Sequence, residues 1–147
     1  MNRRILTISL TLLCLTIAVG CSDDNGTGSK DNATPAELAA EWTLTSGSIN
    51  GASVPLATLL GWESSTTHAV LVVAATGTYS YFEKDADSAV VWQDSGVFRV
   101  NGSNFTLSGG QIPISGGQWA VNGTQLTMTM SEQGYTYVIL ATKPEAP

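Results

Sequence analysis

The chain has 147 residues, and its 6 basic side chains stand against 12 acidic ones for a formal charge of −6. Arg3 and Arg4 lie in a segment with the character of a cleaved leader, so the mature chain is more acidic still; it lacks the basic footprint that nucleic acid requires and any electrostatic hold on anionic lipid. Both cysteines, Cys14 and Cys21, sit at the very start, which excludes a disulfide framework and a thiolate zinc site for whatever folds after them.

Residues 1–20 carry the three parts of an export signal: Arg3 and Arg4, an uncharged and mostly apolar run over 5–19, then small residues before Cys21. The run is shorter than the ~20 residues a membrane-spanning helix needs. Ala18-Val19-Gly20-Cys21 resembles the lipobox of bacterial lipoproteins. The resemblance implies cleavage before Cys21 and acylation of that residue, and several acyl chains at about 0.8 kcal/mol per methylene anchor a protein stably. An ordinary signal peptide cut nearby is the alternative. Ser22 after the cysteine resembles the pattern of lipoproteins sorted to an outer membrane, and Asp23-Asp24 resembles the surface-export tags of some bacteria. Which face of the membrane the protein occupies stays open.

Residues 21–34 are rich in Asp, Asn, Gly and Ser with no apolar period, and read as a flexible tether from the lipidated Cys21. Thr34-Pro35-Ala36-Glu37 has a capping Thr, Pro at the first helical position and Glu three residues after the Thr. A short N-terminal helical turn to about residue 40 is expected, with Leu38 pressed onto the end of the domain.

Residues 42–49 alternate and read as the first strand. Leu-Ala-Ala-Glu-Trp-Thr-Leu-Thr-Ser at 38–46 is similar to the opening of bacterial lipocalin-like domains. There, a tryptophan on the first strand plugs the base of a barrel; Trp42 takes that place. Gly77-Thr78-Tyr79 and the later Asn-Gly hairpins fit the same families. The resemblance covers roughly 38–143 and implies a barrel that can hold a small ligand.

Residues 50–66 are the longest piece without a strand pattern, yet they carry Val54, Leu56, Leu59, Leu60 and Trp62. Five large apolar groups should be buried, so the segment is expected to form a plug over one open end, a moving lid being the alternative. Strands follow over 67–75 and 78–83, with Tyr79 and Tyr81 sharing a face. An exposed turn spans 84–87. The fourth strand runs over 88–100, with a bend expected near Gly96.

The region beyond is organised by a repeat. Residues 96–108 and 117–129 share Gly-x-aromatic-x-Val-Asn-Gly-polar-polar-apolar-Thr-apolar-polar. Each copy is predicted to be a β-hairpin with Asn-Gly in a two-residue type I′ turn, which would set Val100 opposite Ser103 and Phe98 opposite Phe105. Strands are thus expected over 103–108, 111–121 and 124–131, with a bend at Gly116-Gly117. Gln133-Gly134 turns the chain into a last strand over 135–142. Period-2 alternation gives one dry face and one wet face, the habit of antiparallel sheets.

The count is eight antiparallel strands. Closing the first on the last removes both exposed edges. The expected fold class is all-β: an eight-stranded antiparallel up-and-down barrel, lipocalin-like, over residues 35–143. Phe98, Phe105, Leu107, Trp119, Leu126, Met128, Met130, Tyr135, Tyr137 and Ile139 should point inward.

Chemistry is sparse. His68 is the single histidine, and no Gly-x-Ser-x-Gly elbow occurs. Glu83, Asp85 and Asp87 lack the ligand spacing of a calcium loop, and Glu41 and Glu63 give no sign of a paired-carboxylate cleft. The chain reads as not an enzyme, with no metal or cofactor, and as a monomer whose partners are the membrane, through acylated Cys21, and a small apolar ligand. Phe98, Phe105, Trp119, Met128 and Tyr137 are the candidate ligand-binding residues. The competing reading is a filled barrel serving as a structural or protein-interaction domain of the cell envelope. Carbohydrate binding on an exposed Trp62 or Trp92 is a third.

Overall fold

The computed structural model describes residues 33–145. The expected signal, Cys21 and nearly all of the expected tether lie outside the described residues. The elements are β1 (Glu41–Ile49), β2 (Ala52–Val54), α1 (Leu56–Leu60), β3 (His68–Val73), β4 (Thr78–Lys84), β5 (Val90–Asn101), β6 (Asn104–Ser108), β7 (Gly116–Asn122), β8 (Gln125–Glu132) and β9 (Tyr135–Thr142). All pairings are antiparallel. β1 and β3 to β9 follow one another around the sheet, and β1 also pairs with β9, so eight strands close into a barrel. The short β2 is an extra strand that pairs only with β1.

Alternation sets the inside. Along β4, Tyr79, Tyr81 and Glu83 are buried while Ser80 and Phe82 are not, and along β6 the buried pair is Phe105 and Leu107. Of these, Tyr79, Tyr81, Phe105 and Leu107 meet Leu71, Val73, Leu126, Met128, Ile139 and Ala141 in one cluster. Phe98 and Phe105 stack there, with ring centroids 5.7 Å apart and planes 6° from parallel.

The two repeat copies fold alike. Phe98 pairs with Leu107 and Val100 with Phe105; twenty-one residues on, Trp119 pairs with Met128 and Val121 with Leu126. The register differs from expectation by one step of two residues. The loops are Gly102-Ser103 and Gly123-Thr124, flanked by paired Asn101 and Asn104, and by Asn122 and Gln125. Among the two loop residues only the glycine has positive φ, +58° at Gly102, which is the demand of a II′ turn rather than I′. A shift of two keeps every side chain on its expected face.

The short N-terminal turn expected to about residue 40 is present, with Leu38 and Ala39 N–H both donating to the Pro35 carbonyl and Leu38 fully buried, although the Thr34 hydroxyl does not cap it. The chain then enters β1, the Leu38 carbonyl accepting from Trp42 Nε1 at 2.9 Å and the Ala40 carbonyl from Val73 N–H. Three other expectations are corrected. The one helix among the described residues is α1, inside the stretch expected to lack regular structure. Residues 111–115 are loop rather than strand: Pro113 has no N–H to give a ladder, and the amides of Gln111 and Ile112 both donate to Asp94. At Gly96 the ladder with β4 runs on unbroken, and the bulge falls instead where Glu83 pairs Trp92 but Lys84 pairs Val90. Gly96 is there for close approach, since a Cβ would lie 2.2 Å from the Ser108 carbonyl oxygen.

The registers place the turns at two ends. One end carries 74–77, 102–103, 123–124 and the 33–40 segment. It is closed by Leu38 and Trp42, both fully buried, with Lys143 Nζ 5.0 Å from the Trp42 ring centroid. The other end carries 50–51, α1, 85–89, 109–115 and 133–134, and is the mouth.

Candidate functional site

The mouth is built by three pieces of chain hung from the barrel rim. The first begins with Asn50-Gly51, where both residues have positive φ. This is the I′ geometry that Asn-Gly favours, and it folds β2 back on β1. α1 follows at once. Leu56, Leu59 and Leu60 stand at the i, i+3 and i+4 spacing of one helix face, and Leu60 is buried. Gly61, left-handed at φ 66°, ends the helix. Where α1 crosses β1 the approach is close: a Cβ at Gly47 would lie 2.7 Å from Leu59 Cδ2, and that leucine would have to shift.

Past α1, residues 62–66 are tied to the inner face of β4. Trp62 Nε1 donates to the Tyr81 hydroxyl at 2.7 Å. Glu83 Oε2 accepts from the Glu63 amide at 3.0 Å and the Thr66 hydroxyl at 2.7 Å. Glu83 is only 4% exposed, and a buried carboxylate needs such donors to be tolerable. Burial pushes the Tyr81 phenol well above its ordinary range, and the charge of Glu83 adds to that against the Trp62 bond.

The second piece, 109–115, is held by Asp94 on β5. Its Oδ2 accepts from Gln111 N at 2.7 Å, Ile112 N at 3.0 Å and the Tyr79 hydroxyl at 3.1 Å. Desolvation raises the Asp94 pKa, but the Gln111, Ile112, Tyr79 and Ser95 bonds together outweigh it and hold the carboxyl below its ordinary 3.8. Tyr79 is pushed up to about 12, by burial first and then by its bond to Asp94 and that group's charge. The third piece is the Gln133-Gly134 turn between β8 and β9, again with both residues at positive φ.

Between these pieces lies a cavity of about 400 Å³. Its apolar wall is Leu59 and Leu60 of α1, Ile114 of the second loop, and Met130 and Ile139 of β8 and β9. Its polar groups are Tyr137, Ser115, Ser131 and Glu132. A second space of about 200 Å³ lies across Leu60 and Pro113, beside Tyr81, Glu83 and Trp92. Leu60 and Pro113 line both spaces, so α1 and the second loop together partition the mouth.

Of the five candidate ligand-binding residues, Tyr137 lines the larger cavity. Phe98, Phe105 and Met128 belong to the packed interior, at most 2% exposed. Trp119 is half-buried toward the closed end, its Nε1 donating to the Gly102 carbonyl at 3.1 Å. Tyr135, expected to point in, stands at the rim beside Tyr137 and is 51% exposed. Among the cavity's lining, Met130 was expected to point inward but was not among the five candidates, and Ile114 and Glu132 were missed altogether. Met130 and Glu132 continue the inward parity of Leu126 and Met128, so their faces were readable; Ile114 was hidden by the strand expected over 111–121.

Trp62 and Trp92 face the interior. Both are half-buried, Trp62 bonded to the Tyr81 hydroxyl and Trp92 edge-on to the Tyr81 ring with centroids 5.8 Å apart. Among the described residues no group of three His, Cys, Asp or Glu stands close enough to hold a metal ion, and no helix is long and apolar enough to cross a membrane. No protein-family model and no curated protein sequence matches the chain.

Proposed function

We propose that the protein is a lipoprotein of the bacterial envelope, anchored through acylated Cys21, whose lipocalin-like barrel holds a small apolar ligand in the cavity at its mouth. The observation that carries the ligand reading is the cavity itself. At about 400 Å³ it falls within the ~300–1,000 Å³ typical of small-molecule sites, and its lining mixes the aliphatic groups of Leu59, Leu60, Ile114, Met130 and Ile139 with a somewhat larger polar surface. Met130 suits such a lining because its unbranched thioether adapts to shape. The anchor rests on Ala18-Val19-Gly20-Cys21 and the leader before it.

The alternative, a filled barrel with a structural or protein-interaction role, is favoured by one observation. Phe98, Phe105 and Met128 pack the lower interior solidly, so any ligand is confined to the space at the mouth.

The two readings part on uptake of an environment-sensitive apolar dye by the purified protein. Ligand binding predicts saturable uptake that Met130→Trp, which fills the cavity, reduces at least tenfold while Val97→Ser on the outer face leaves it unchanged. Uptake that is absent, or equal in all three proteins, leaves the filled barrel standing. For the anchor, the test is metabolic labelling with an alkyne fatty acid: label that survives Cys21→Ser would rule it out.

A further inference from the structure

The rim beside the cavity has a composition that core packing does not explain. Glu132 and Tyr135 face each other across the Gln133-Gly134 turn, and Met130 faces Tyr137 one step further in. All four share the inner face of the β8–β9 ribbon. Tyr135 is the most exposed large apolar side chain among the described residues, at 51%. Its ring centroid lies 6.4 Å from that of Tyr137, with the planes tilted 48°. Glu132 is exposed, and no hydrogen bond or ion pair engages its carboxylate among the described residues. Two angled aromatic rings beside a free carboxylate are what an ammonium group binds, by cation–π attraction and charge together.

The wider field agrees. Glu63, Glu83, Asp85, Asp87 and Glu132 lie at the mouth, and Lys84 is the one lysine or arginine placed there among the described residues. Arg99 and Lys143 belong to the closed half. An anionic head group would meet like charge on approach, and a cationic one would be drawn in.

We infer that the cavity takes a cationic amphiphile: an alkyl or similarly apolar body against Leu59, Leu60 and Met130, with an ammonium head held by Glu132, Tyr135 and Tyr137. This rests on the ligand-binding reading above and adds the class of ligand. It excludes fatty acids and other anionic lipids as preferred occupants.

The test is calorimetric titration of the purified protein with decyltrimethylammonium, decanol and decanoate, each below its micelle concentration, at low and high salt. The expected order is ammonium, then alcohol, then carboxylate. Glu132→Gln and Tyr135→Ala should each weaken the ammonium compound by about 3- to 5-fold, in line with exposed cation–π and charge contacts, and leave decanol within about twofold. Both positions are exposed, so an unchanged decanol affinity also certifies that the barrel is intact. Decanoate binding as tightly as the ammonium compound would overturn the head-group assignment and leave the cavity reading in place. An ammonium preference untouched by both substitutions would overturn the site. Binding of none of the three would remove the cavity reading itself.

Discussion

Asp94 shows how much one side chain can organise. Its Oδ2 gathers two backbone amides and a phenol, and without it the second mouth loop has lost its anchor on β5. Asp94→Ala should cost about 1–3 kcal/mol, the range for donors left without a partner, read from chemical denaturation. The pH dependence has a definite sign. The folded carboxyl titrates below its ordinary 3.8, so the stability it contributes is complete above that value and fades as pH falls through the folded pKa. The melting temperature of the Asp94→Asn protein should therefore fall less steeply than that of the parent below about pH 4; parallel acid limbs would contradict the assignment. At the closed end Trp42 is fully buried, with its indole N–H satisfied by the Leu38 carbonyl. Trp42→Ala should cost about 3–5 kcal/mol, measured the same way, and a loss below 1 kcal/mol would mean that this end is not packed as described.

At the scale of elements, the plug is the feature that the sequence expressed least clearly. Its five apolar residues led to the expectation of burial for 50–66, and of them Leu60 is buried while Val54, Leu56, Leu59 and Trp62 are half-buried. Three further signals were present there: Asn50-Gly51 as a hairpin turn, Leu56, Leu59 and Leu60 at helical spacing, and Gly61 as a stop. None was long enough to assert itself, because β2 has three residues and α1 five, and neither completes its period twice. The hairpins of β5–β6 and β7–β8 were legible for the opposite reason, since long alternation fixes faces even where the turn type is misjudged. The strand expected over 111–115 failed because its amides found a side-chain acceptor seventeen residues away, and pattern reading does not see such a partner. The plug's own attachment can be measured. Trp62→Phe combined with Glu83→Gln removes the Tyr81 bond and weakens the Glu63 and Thr66 bonds. Amide hydrogen exchange over residues 56–66 should then quicken at least tenfold, with β8 and β9 unchanged. Equal protection in both proteins would show that apolar contacts alone seat the plug.

For the whole molecule, closure of β1 on β9 decides the rest. It removes two sheet edges, and it brings Gly47 of β1 beside Ile139 of β9, so that α1 can lie across the mouth above an aliphatic wall. The closed end is filled by Trp42 and Leu38, and the middle by the phenylalanine stack. The space that is left therefore lies between plug, second loop and the β8–β9 ribbon. The alternation that predicted the barrel also predicted its inward residues, but not how deeply each would be packed; depth depends on where the plugs sit, which is a tertiary property. The most direct measurement is a methyl-resolved NMR titration of the protein with decanol. The account predicts saturable shifts at Leu59, Leu60, Ile114, Met130 and Ile139, with Leu126 and Met128 below them unmoved. Shifts spread over the outer face, or none at any of the five, would contradict it.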